Sequence, residues 1–146
     1  MNKYVLIVLA ITLIGCTAKT SFTSTQPGTK IYVRERPMNP PASGEFRTTS
    51  FGAYDFKVVD PAGQTFYGSL PLKFNPGYMV ADILLFAPGL FFNLREVYPQ
   101  YEIDPDRYVV RYRASAKAPW LEYKATLQEE NGAKRFFERQ RTPGSR

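Results

Sequence analysis

Few residues in this chain have side chains suited to catalysis or metal binding. The 146-residue sequence contains no histidine and a single cysteine, Cys16. Without imidazole, a Ser-His-Asp triad is excluded, and so are the histidine ligands of zinc and non-haem iron sites. Acid–base chemistry near neutral pH would require a carboxylate or a lysine whose pKa is shifted by burial. The sequence therefore predicts a protein that is not an enzyme and that needs no cofactor or metal.

One pair of carboxylates is spaced for chemistry: Asp104 and Asp106, on either side of Pro105. Paired carboxylates can act as general acid and base in glycoside hydrolysis, or they can bind a hard cation. An Asp-Pro-Asp sequence before a strand is, however, typical of a turn. We predict a turn here, and a carboxylate-based hydrolase of cell-wall glycans stays open as an alternative.

The one cysteine lies at the end of a short apolar run, Tyr4–Ile14. The run is shorter than the roughly 20 residues that a helix needs to cross a bilayer. The stretch from Leu13 to Cys16, Leu-Ile-Gly-Cys, resembles the lipobox of bacterial lipoproteins. This resemblance implies that the Cys16 thiol receives a diacylglyceryl group, that a peptidase cuts between Gly15 and Cys16, and that the new amine is acylated. Residues 1–15 are therefore predicted to be a lipoprotein signal peptide.

A lipid on Cys16 would attach the mature protein to a membrane of the cell envelope. Residue 17 is Thr, whereas Asp at that position retains enterobacterial lipoproteins in the inner membrane. The resemblance thus favours the outer membrane, facing the periplasm, and it argues against a nucleic-acid partner. Residues 16–28 would then be the lipidated N-terminus that the resemblance implies together with a flexible tether, which the Thr- and Ser-rich stretch Thr17–Ser24 predicts.

Residues 29–139 are predicted to form a single β-rich domain. Aromatic residues make up 15% of the chain, and most are Tyr and Phe, which favour half-buried sheet surfaces. Apolar residues alternate with polar ones along several segments, which predicts strands. The buried positions would be Ile31, Val33, Tyr54, Phe56, Val58, Phe66, Gly68, Leu70, Leu72 and Phe74. We expect a mainly β fold, a small antiparallel β-sandwich.

Turn signals separate these strands. Gln26-Pro27-Gly28 and Asp60–Gly63 both contain proline and glycine, which favour tight turns. Pro71 interrupts the longest alternation, Gln64–Phe74, and predicts an edge position or a bend. A Pro-rich loop, Pro37–Gly44, precedes a hairpin that we expect to be inserted into the sandwich.

Two stretches resemble the small β-sandwich modules of the PEGA-like family, found on carbohydrate-binding surfaces and in lipoproteins. The first is Ser24–Val33, with Pro-Gly followed by Ile-Tyr-Val, and the second is Gly68–Leu72, with Gly-Ser-Leu-Pro. Tyr101–Pro105 is similar to the Tyr-x-Leu-x-Pro strand of such lipoproteins. The family pattern has a short gap between its first two parts, whereas some thirty residues intervene here. The resemblance implies a compact, non-catalytic envelope module.

Residues 78–94 are almost entirely apolar, with breaks at Asp82 and at Pro88-Gly89. They predict a short apolar helical hairpin. Three interpretations stay open: the segment caps the sheet, dips into the lipid leaflet, or docks to a partner. In the last two, the contacting residues would be Ile83, Leu84, Leu85, Phe86, Leu90, Phe91 and Phe92.

Arg107–Arg113 alternates strongly and predicts a strand. Its inward residues would be Tyr108, Val110 and Tyr112, and its outward residues Arg107, Val109, Arg111 and Arg113. The three outward arginines form a basic stripe that could contact lipid phosphates or acidic glycans. Alternatively, they form a solvated face that prevents edge-to-edge strand pairing.

The C-terminal region allows two interpretations. Trp120–Gln128 alternates like a strand, Asn131-Gly132 favours a hairpin turn, and Lys134–Arg139 could return as the partner strand. A helix is the alternative, because Glu, Lys, Ala and Gln are good helix formers. Residues 140–146 are predicted to be a disordered basic tail.

Taken together, these patterns predict a non-catalytic envelope lipoprotein, anchored at Cys16, that binds or scaffolds another envelope component. Its partners would be the membrane, through the N-terminal lipid, and an envelope protein or glycan. An immunity or exclusion lipoprotein that blocks a toxin or a phage receptor is an alternative with the same sequence features.

Overall fold

The computed structural model describes residues 17–47, 53–74 and 95–141. Over these residues the prediction of a mainly β sandwich is confirmed. The strands are β1 (Thr17–Ser24), β2 (Lys30–Val33), β3 (Arg36–Pro37), β4 (Ala42–Arg47), β5 (Asp55–Val59), β6 (Thr65–Ser69), β7 (Leu72–Phe74), β8 (Arg95–Val97), β9 (Gln100–Asp104), β10 (Val109–Arg113) and β11 (Leu121–Tyr123), and helix α1 spans Leu127–Arg141. The lipobox and the predicted helical hairpin at 78–94 lie outside the described residues.

The strands form two main sheets. One has five strands in the order β11-β10-β9-β1-β4, and the other has four in the order β3-β2-β5-β6. Strands β7 and β8 pair separately. Pairing is antiparallel except between β1 and β9, which run parallel. The sandwich is thus antiparallel, as expected, apart from this one pair.

In the described part of the chain, one hydrophobic core cluster joins the two sheets. Phe22 of β1 stacks on Tyr101 of β9, with ring centroids 5.3 Å apart. Phe46 of β4 packs edge-on against Tyr54, just before β5, at 5.0 Å. Alternation correctly predicted the buried positions Ile31, Val33, Tyr54, Phe56, Val58, Phe66 and Leu70.

The two ends of the sandwich differ in which turns they contain. At the end where β1 begins, Thr17 pairs with Arg47, and Arg36 Nη1 reaches across to the carbonyl oxygen of Glu45 at 2.9 Å. We call this the Thr17 end. At the opposite end, the Ser24 end, β9 finishes beside β1. There the side chain of Gln26 donates a hydrogen bond to Asp106.

The Thr- and Ser-rich stretch after Cys16 is not a tether. Thr17–Ser24 forms β1, an interior strand hydrogen-bonded to β4 on one side and β9 on the other. Its inward residues include Phe22, which is fully buried, and Thr20, which is 1% exposed. The tether prediction for residues 16–28 is therefore wrong over Thr17–Ser24, because these residues have long-range partners that complete a sheet. The turn at Gln26–Gly28 is present, with Gly28 at a φ of 83°.

The longest alternating segment, Gln64–Phe74, divides into two strands. β6 pairs with β5 through the predicted turn at Asp60–Gly63, where Gly63 has a φ of 86°. After the bend expected at Pro71, β7 leaves this sheet and pairs with β8. Phe74 is therefore 52% exposed rather than buried.

The C-terminal hairpin prediction is wrong, and the alternative of a helix is confirmed. Only Leu121–Tyr123 is a strand, and the predicted hairpin turn at Asn131-Gly132 lies inside α1. Thr126 caps the helix: its backbone N–H and hydroxyl donate to Glu129 Oε2 at 2.8 and 2.7 Å, and Glu129 N–H donates back to the hydroxyl. The tail predicted from residue 140 is also wrong at its start, because α1 continues to Arg141.

Helix α1 packs against the four-stranded sheet at the β6 edge. Phe137 contacts Tyr67, which lies on the face of β6 opposite Phe66, with centroids 6.1 Å apart. Ala133 is fully buried. Within the described ranges, the structure contains no helix with the length and apolar character required to cross a membrane.

Candidate functional site

The predicted basic stripe lies on the outer surface of the five-stranded sheet. Arg111 and Arg113 are on β10, opposite Glu102 and Gln100 of β9, while Arg107 lies in the turn before the strand rather than in it. Trp120 lies beside them, with the guanidinium carbons of Arg113 and Arg111 at 4.4 and 5.4 Å from its ring centroid. We call this surface the Arg–Trp face; its members are Gln100, Glu102, Arg107, Arg111, Arg113, Trp120 and Glu122.

Carboxylates on the neighbouring strands pair with most of the charge of this face. Arg107 makes a two-pronged ion pair with Glu122, at 2.9 and 3.0 Å. Arg111 pairs with Glu102, and its Nε lies 3.9 Å from Glu122. The hydrogen bond from Arg107 holds the pKa of Glu122 below its usual value. Three cations face two carboxylates, so the face has one net positive charge rather than three.

The predicted orientations within this segment are only partly correct. Val110 faces the core as expected, but Val109 is also buried and Tyr108 is 43% exposed. Tyr108 adopts a φ of 55°, a left-handed conformation that few non-glycine residues take. This residue interrupts the alternation, so Tyr108 leaves the core and donates a hydrogen bond to Gln64 at 2.8 Å.

A second cluster of arginines lines a cleft of about 340 Å³ at the Thr17 end. We call it the arginine cleft; its lining residues are Val33, Arg34, Glu35, Arg36, Phe46, Arg47, Tyr54 and Phe136. The cleft contains three guanidinium groups and one carboxylate. Three aromatic rings form its apolar part, so it combines positive charge with an apolar floor.

Turn geometry and ring contacts position the arginines of the cleft. Arg34 begins the β2–β3 turn with a φ of 52°, its guanidinium donates to the carbonyl oxygen of Ala53 at 2.9 Å, and it lies over the Tyr54 ring at 4.8 Å. Arg36 lies over Phe46 at 6.0 Å. The Tyr54 hydroxyl donates to the backbone carbonyl oxygen of Arg47 at 2.6 Å. These contacts fix the guanidinium groups of Arg34 and Arg36 and the rings of Tyr54 and Phe46 around the opening of the cleft.

Sequence reasoning missed this cleft because its members come from four separate segments, of which Tyr54 alone forms one. Val33–Arg36 and Phe46–Arg47 belong to different sheets, and Phe136 belongs to a helix that alternation did not favour. One sign of a basic site was present in the sequence: Arg34 and Arg36, on either side of Glu35, directly follow the correctly predicted strand β2. These two arginines line a cleft together with Phe46 and Arg47 of β4. β4 is held in place by its pairing with β1, and the tether interpretation excluded that pairing.

The carboxylate pair Asp104 and Asp106 forms part of a turn, as predicted. Asp104 Oδ1 accepts a hydrogen bond from the Arg107 backbone N–H at 3.3 Å, and Asp106 accepts one from Gln26. Both carboxylates therefore hold loops in place. Among residues 17–47, 53–74 and 95–141 no group of three or more Asp, Glu, His or Cys side chains is arranged to hold a metal ion.

The remaining predicted site residues lie outside the described part of the chain. These are Gly15 and Cys16 of the lipobox and the apolar residues Ile83, Leu84, Leu85, Phe86, Leu90, Phe91 and Phe92. Comparison with protein-family models, with curated proteins and with solved structures finds no match to this chain. The lipobox and PEGA-like resemblances therefore stay predictions.

Proposed function

We propose that this protein is a non-catalytic lipoprotein of the cell envelope. It is anchored through Cys16, favours the outer membrane facing the periplasm, and uses its β-sandwich to bind another envelope component. The observation that supports this proposal most directly is the position of β1, which begins at Thr17, the residue after the candidate lipidation site. A lipid on Cys16 would thus hold a folded domain directly at the bilayer.

An anchor this close to the domain limits how far the domain moves from the membrane. A partner in the same layer then meets the domain at a high effective concentration, and weak contacts suffice for binding. The short connection therefore fits a scaffolding or binding role.

The Arg–Trp face is the described surface best suited to a partner. Trp and Arg are the residues most enriched among those that dominate binding energy in protein interfaces. Trp120 is partly exposed, and Arg113 is stacked against it at 4.4 Å. The internal ion pairs fix the arginines in position, which lowers the entropy lost on binding.

The roles of Asp104 and Asp106 support a non-catalytic function. Each makes a hydrogen bond that stabilises a turn or joins two loops. A pair of catalytic carboxylates would instead face a common cleft, with room for substrate between them.

Mass spectrometry of the mature N-terminus, on protein extracted from membranes, tests the anchor. We expect a chain that starts at Cys16 and bears both a diacylglyceryl group and an N-acyl group. A Cys16→Ser variant should lack both groups and leave the membrane fraction. An unmodified chain that retains Met1 in wild-type cells would contradict the proposal.

Crosslinking in intact cells tests the partner surface. We expect Trp120→Ala to lose a specific crosslinked partner, because the ring is the centre of the Arg–Trp face. Leu127→Ala is the matched control, since Leu127 is 78% exposed at the start of α1 and makes no contact given for the Arg–Trp face, and it should keep the partner. Leu85→Arg probes the other predicted contact, residues 78–94. Retention of every partner by Trp120→Ala would remove the Arg–Trp face as the binding surface.

A further inference from the structure

The arginine cleft has positive charge, on Arg36 and Arg47, that no carboxylate in the described part of the chain neutralises through an ion pair. Its three arginines face one carboxylate, Glu35, and that carboxylate already accepts a hydrogen bond from Gln140 at 3.2 Å. Within residues 17–47, 53–74 and 95–141, neither Arg36 nor Arg47 forms an ion pair with a carboxylate. The Arg–Trp face differs, because there each of two carboxylates is paired.

The chemistry of the cleft suits an oxyanion attached to an apolar group. A guanidinium presents five N–H donors in a planar fork that matches phosphate oxygens. Arg36 uses one nitrogen, Nη1, on the Glu45 carbonyl oxygen, which leaves most of its donors for a ligand. The rings of Phe46, Tyr54 and Phe136 line the same opening and can cover an apolar portion. The volume, about 340 Å³, is within the range of small-ligand sites.

Strand register locates the cleft relative to the proposed anchor. Thr17 and Arg47 are directly paired across β1 and β4, so their Cα atoms are about 4.5–5.5 Å apart. Thr17 is covalently joined to Cys16. A lipid on Cys16 would therefore bring Arg47, and with it the opening of the cleft, to the depth of the lipid headgroups.

We propose that the arginine cleft binds the phosphate of an anionic phospholipid headgroup in the leaflet that holds the Cys16 lipid. This inference rests on the proposed lipid anchor. Arg36 and Arg47 contact the phosphate oxygens, and the aromatic rings contact the glycerol. The domain is then held by two points, the covalent lipid and the bound headgroup, which fixes its orientation on the membrane.

Vesicle sedimentation tests the cleft separately from the anchor. The protein is the mature chain, residues 16–146, with Cys16→Ser; it retains every residue that the structure describes. Vesicles of phosphatidylglycerol and phosphatidylcholine are compared with vesicles of phosphatidylcholine alone. We expect Arg36→Gln combined with Arg47→Gln to weaken binding to the anionic vesicles about 25-fold, at about fivefold for each arginine.

Two further variants control for net charge and for folding. Lys30→Gln with Lys124→Gln removes the same charge from exposed positions near the Ser24 end, and it should bind as the parent does. Arg36→Lys with Arg47→Lys keeps both charges and should recover only part of the binding, because an ammonium group lacks the planar fork of a guanidinium. If the Lys30/Lys124 pair weakens binding as much as the Arg36/Arg47 pair, recognition by the cleft is refuted.

The source of the phosphate is distinguished by NMR titration with inorganic phosphate. We expect vesicles to shift the amide signals of Arg34–Arg36 and Arg47, and millimolar phosphate to compete with them. Shifts with inorganic phosphate but no preference for anionic vesicles would identify a soluble anion as the ligand and overturn the proposal. Because every arm uses a chain without lipid, a failure of Cys16 acylation appears only in the mass spectrum of the wild type.

Discussion

Two buried threonines illustrate how much depends on single hydrogen bonds. Thr29 is 3% exposed, and its hydroxyl donates to the Gln26 carbonyl oxygen at 2.8 Å while it accepts from Ser24. Thr20 is 1% exposed, but its hydroxyl oxygen has no hydrogen-bond partner in the described part of the chain. A buried polar group without a partner destabilises the folded state. The same residue type therefore has opposite effects at the two positions.

We expect Thr20→Val to raise the free energy of unfolding by about 1 kcal/mol, because it removes an unpaired hydroxyl at nearly constant volume. Thr29→Val is the matched variant and should lower the free energy of unfolding by about 1–2 kcal/mol, since it breaks a bonded pair. Urea unfolding of both variants measures the difference. Equal destabilisation by the two substitutions would show that Thr20 has a partner.

At this scale, the sequence predicts positions in regular strands and fails where the backbone departs from them. Phe56 and Val58 are buried as their alternation indicated. Tyr108 and Arg34 have positive φ values, and neither is a glycine that would announce such a conformation. One of these two residues, Arg34, lines the arginine cleft. The pattern of residue types could therefore not predict the cleft.

Helix α1 was only the alternative prediction for its segment, because the segment also alternates like a strand. The deciding signal is local: Thr126-Leu127-Gln128-Glu129 is a capping box, in which Thr and Glu satisfy each other's backbone N–H groups. Burial raises the pKa of Glu129, but hydrogen bonds from the hydroxyl and the backbone N–H of Thr126 outweigh it, and the net pKa is lowered from 4.5. The ionised form is therefore the one that stabilises the helix start.

This shift predicts a loss of stability in acid. The contribution of Glu129 is fully present above its unfolded pKa, and it is lost as the pH falls through the lower folded value. We expect Glu129→Gln, which keeps an acceptor oxygen but cannot titrate, to unfold at a lower temperature than the wild type at pH 6. The difference should be a fraction of about 1 kcal/mol, because Glu129 is only partly buried, and it should disappear once the pH is below the lowered pKa of Glu129. A constant difference across this range would exclude the charge as the cause.

Two glycines in different elements should respond oppositely to alanine. A Cβ on Gly68 of β6 would lie 2.8 Å from both Ala125 Cβ and Phe56 Cζ, so Gly68→Ala should destabilise by about 1–3 kcal/mol. A Cβ on Gly132, inside α1, would meet nothing within 4 Å, and Gly132→Ala should stabilise by about 0.5–1 kcal/mol. Thermal unfolding measures both. Stabilisation by Gly68→Ala would show that Ala125 and Phe56 are not closely packed against Gly68.

For the whole molecule, the decisive element is β1, and its sequence resembles a linker. Thr and Ser are common both in tethers and in strands, and Phe22 is the only large apolar residue of β1. Its role as an interior strand follows from pairing with β4 and with the distant β9. Such pairing cannot be deduced from local composition. The sequence therefore indicates the fold class, but not the order of strands or the residues that meet at the Thr17 end.

If β1 is part of the core, Phe22→Ala should destabilise the protein by about 3–5 kcal/mol, because the ring is fully buried against Tyr101. Lys19→Ala, on the exposed face of the same strand, serves as the control and should change stability by less than about 0.5 kcal/mol. Chemical denaturation measures both variants. A stable Phe22→Ala protein would restore the tether interpretation.

The parallel pairing of β1 with β9 also sets an order of assembly. Ser21 pairs with Gln100, so β1 cannot complete its pairing until β9, which is synthesised much later, is present. Closing so long a loop is slow, and meanwhile the edge of β1 that β9 will cover is open to other chains. In the export route proposed here, β1 is the first strand to arrive in the receiving compartment, and this edge stays without its partner until β9 has been translocated.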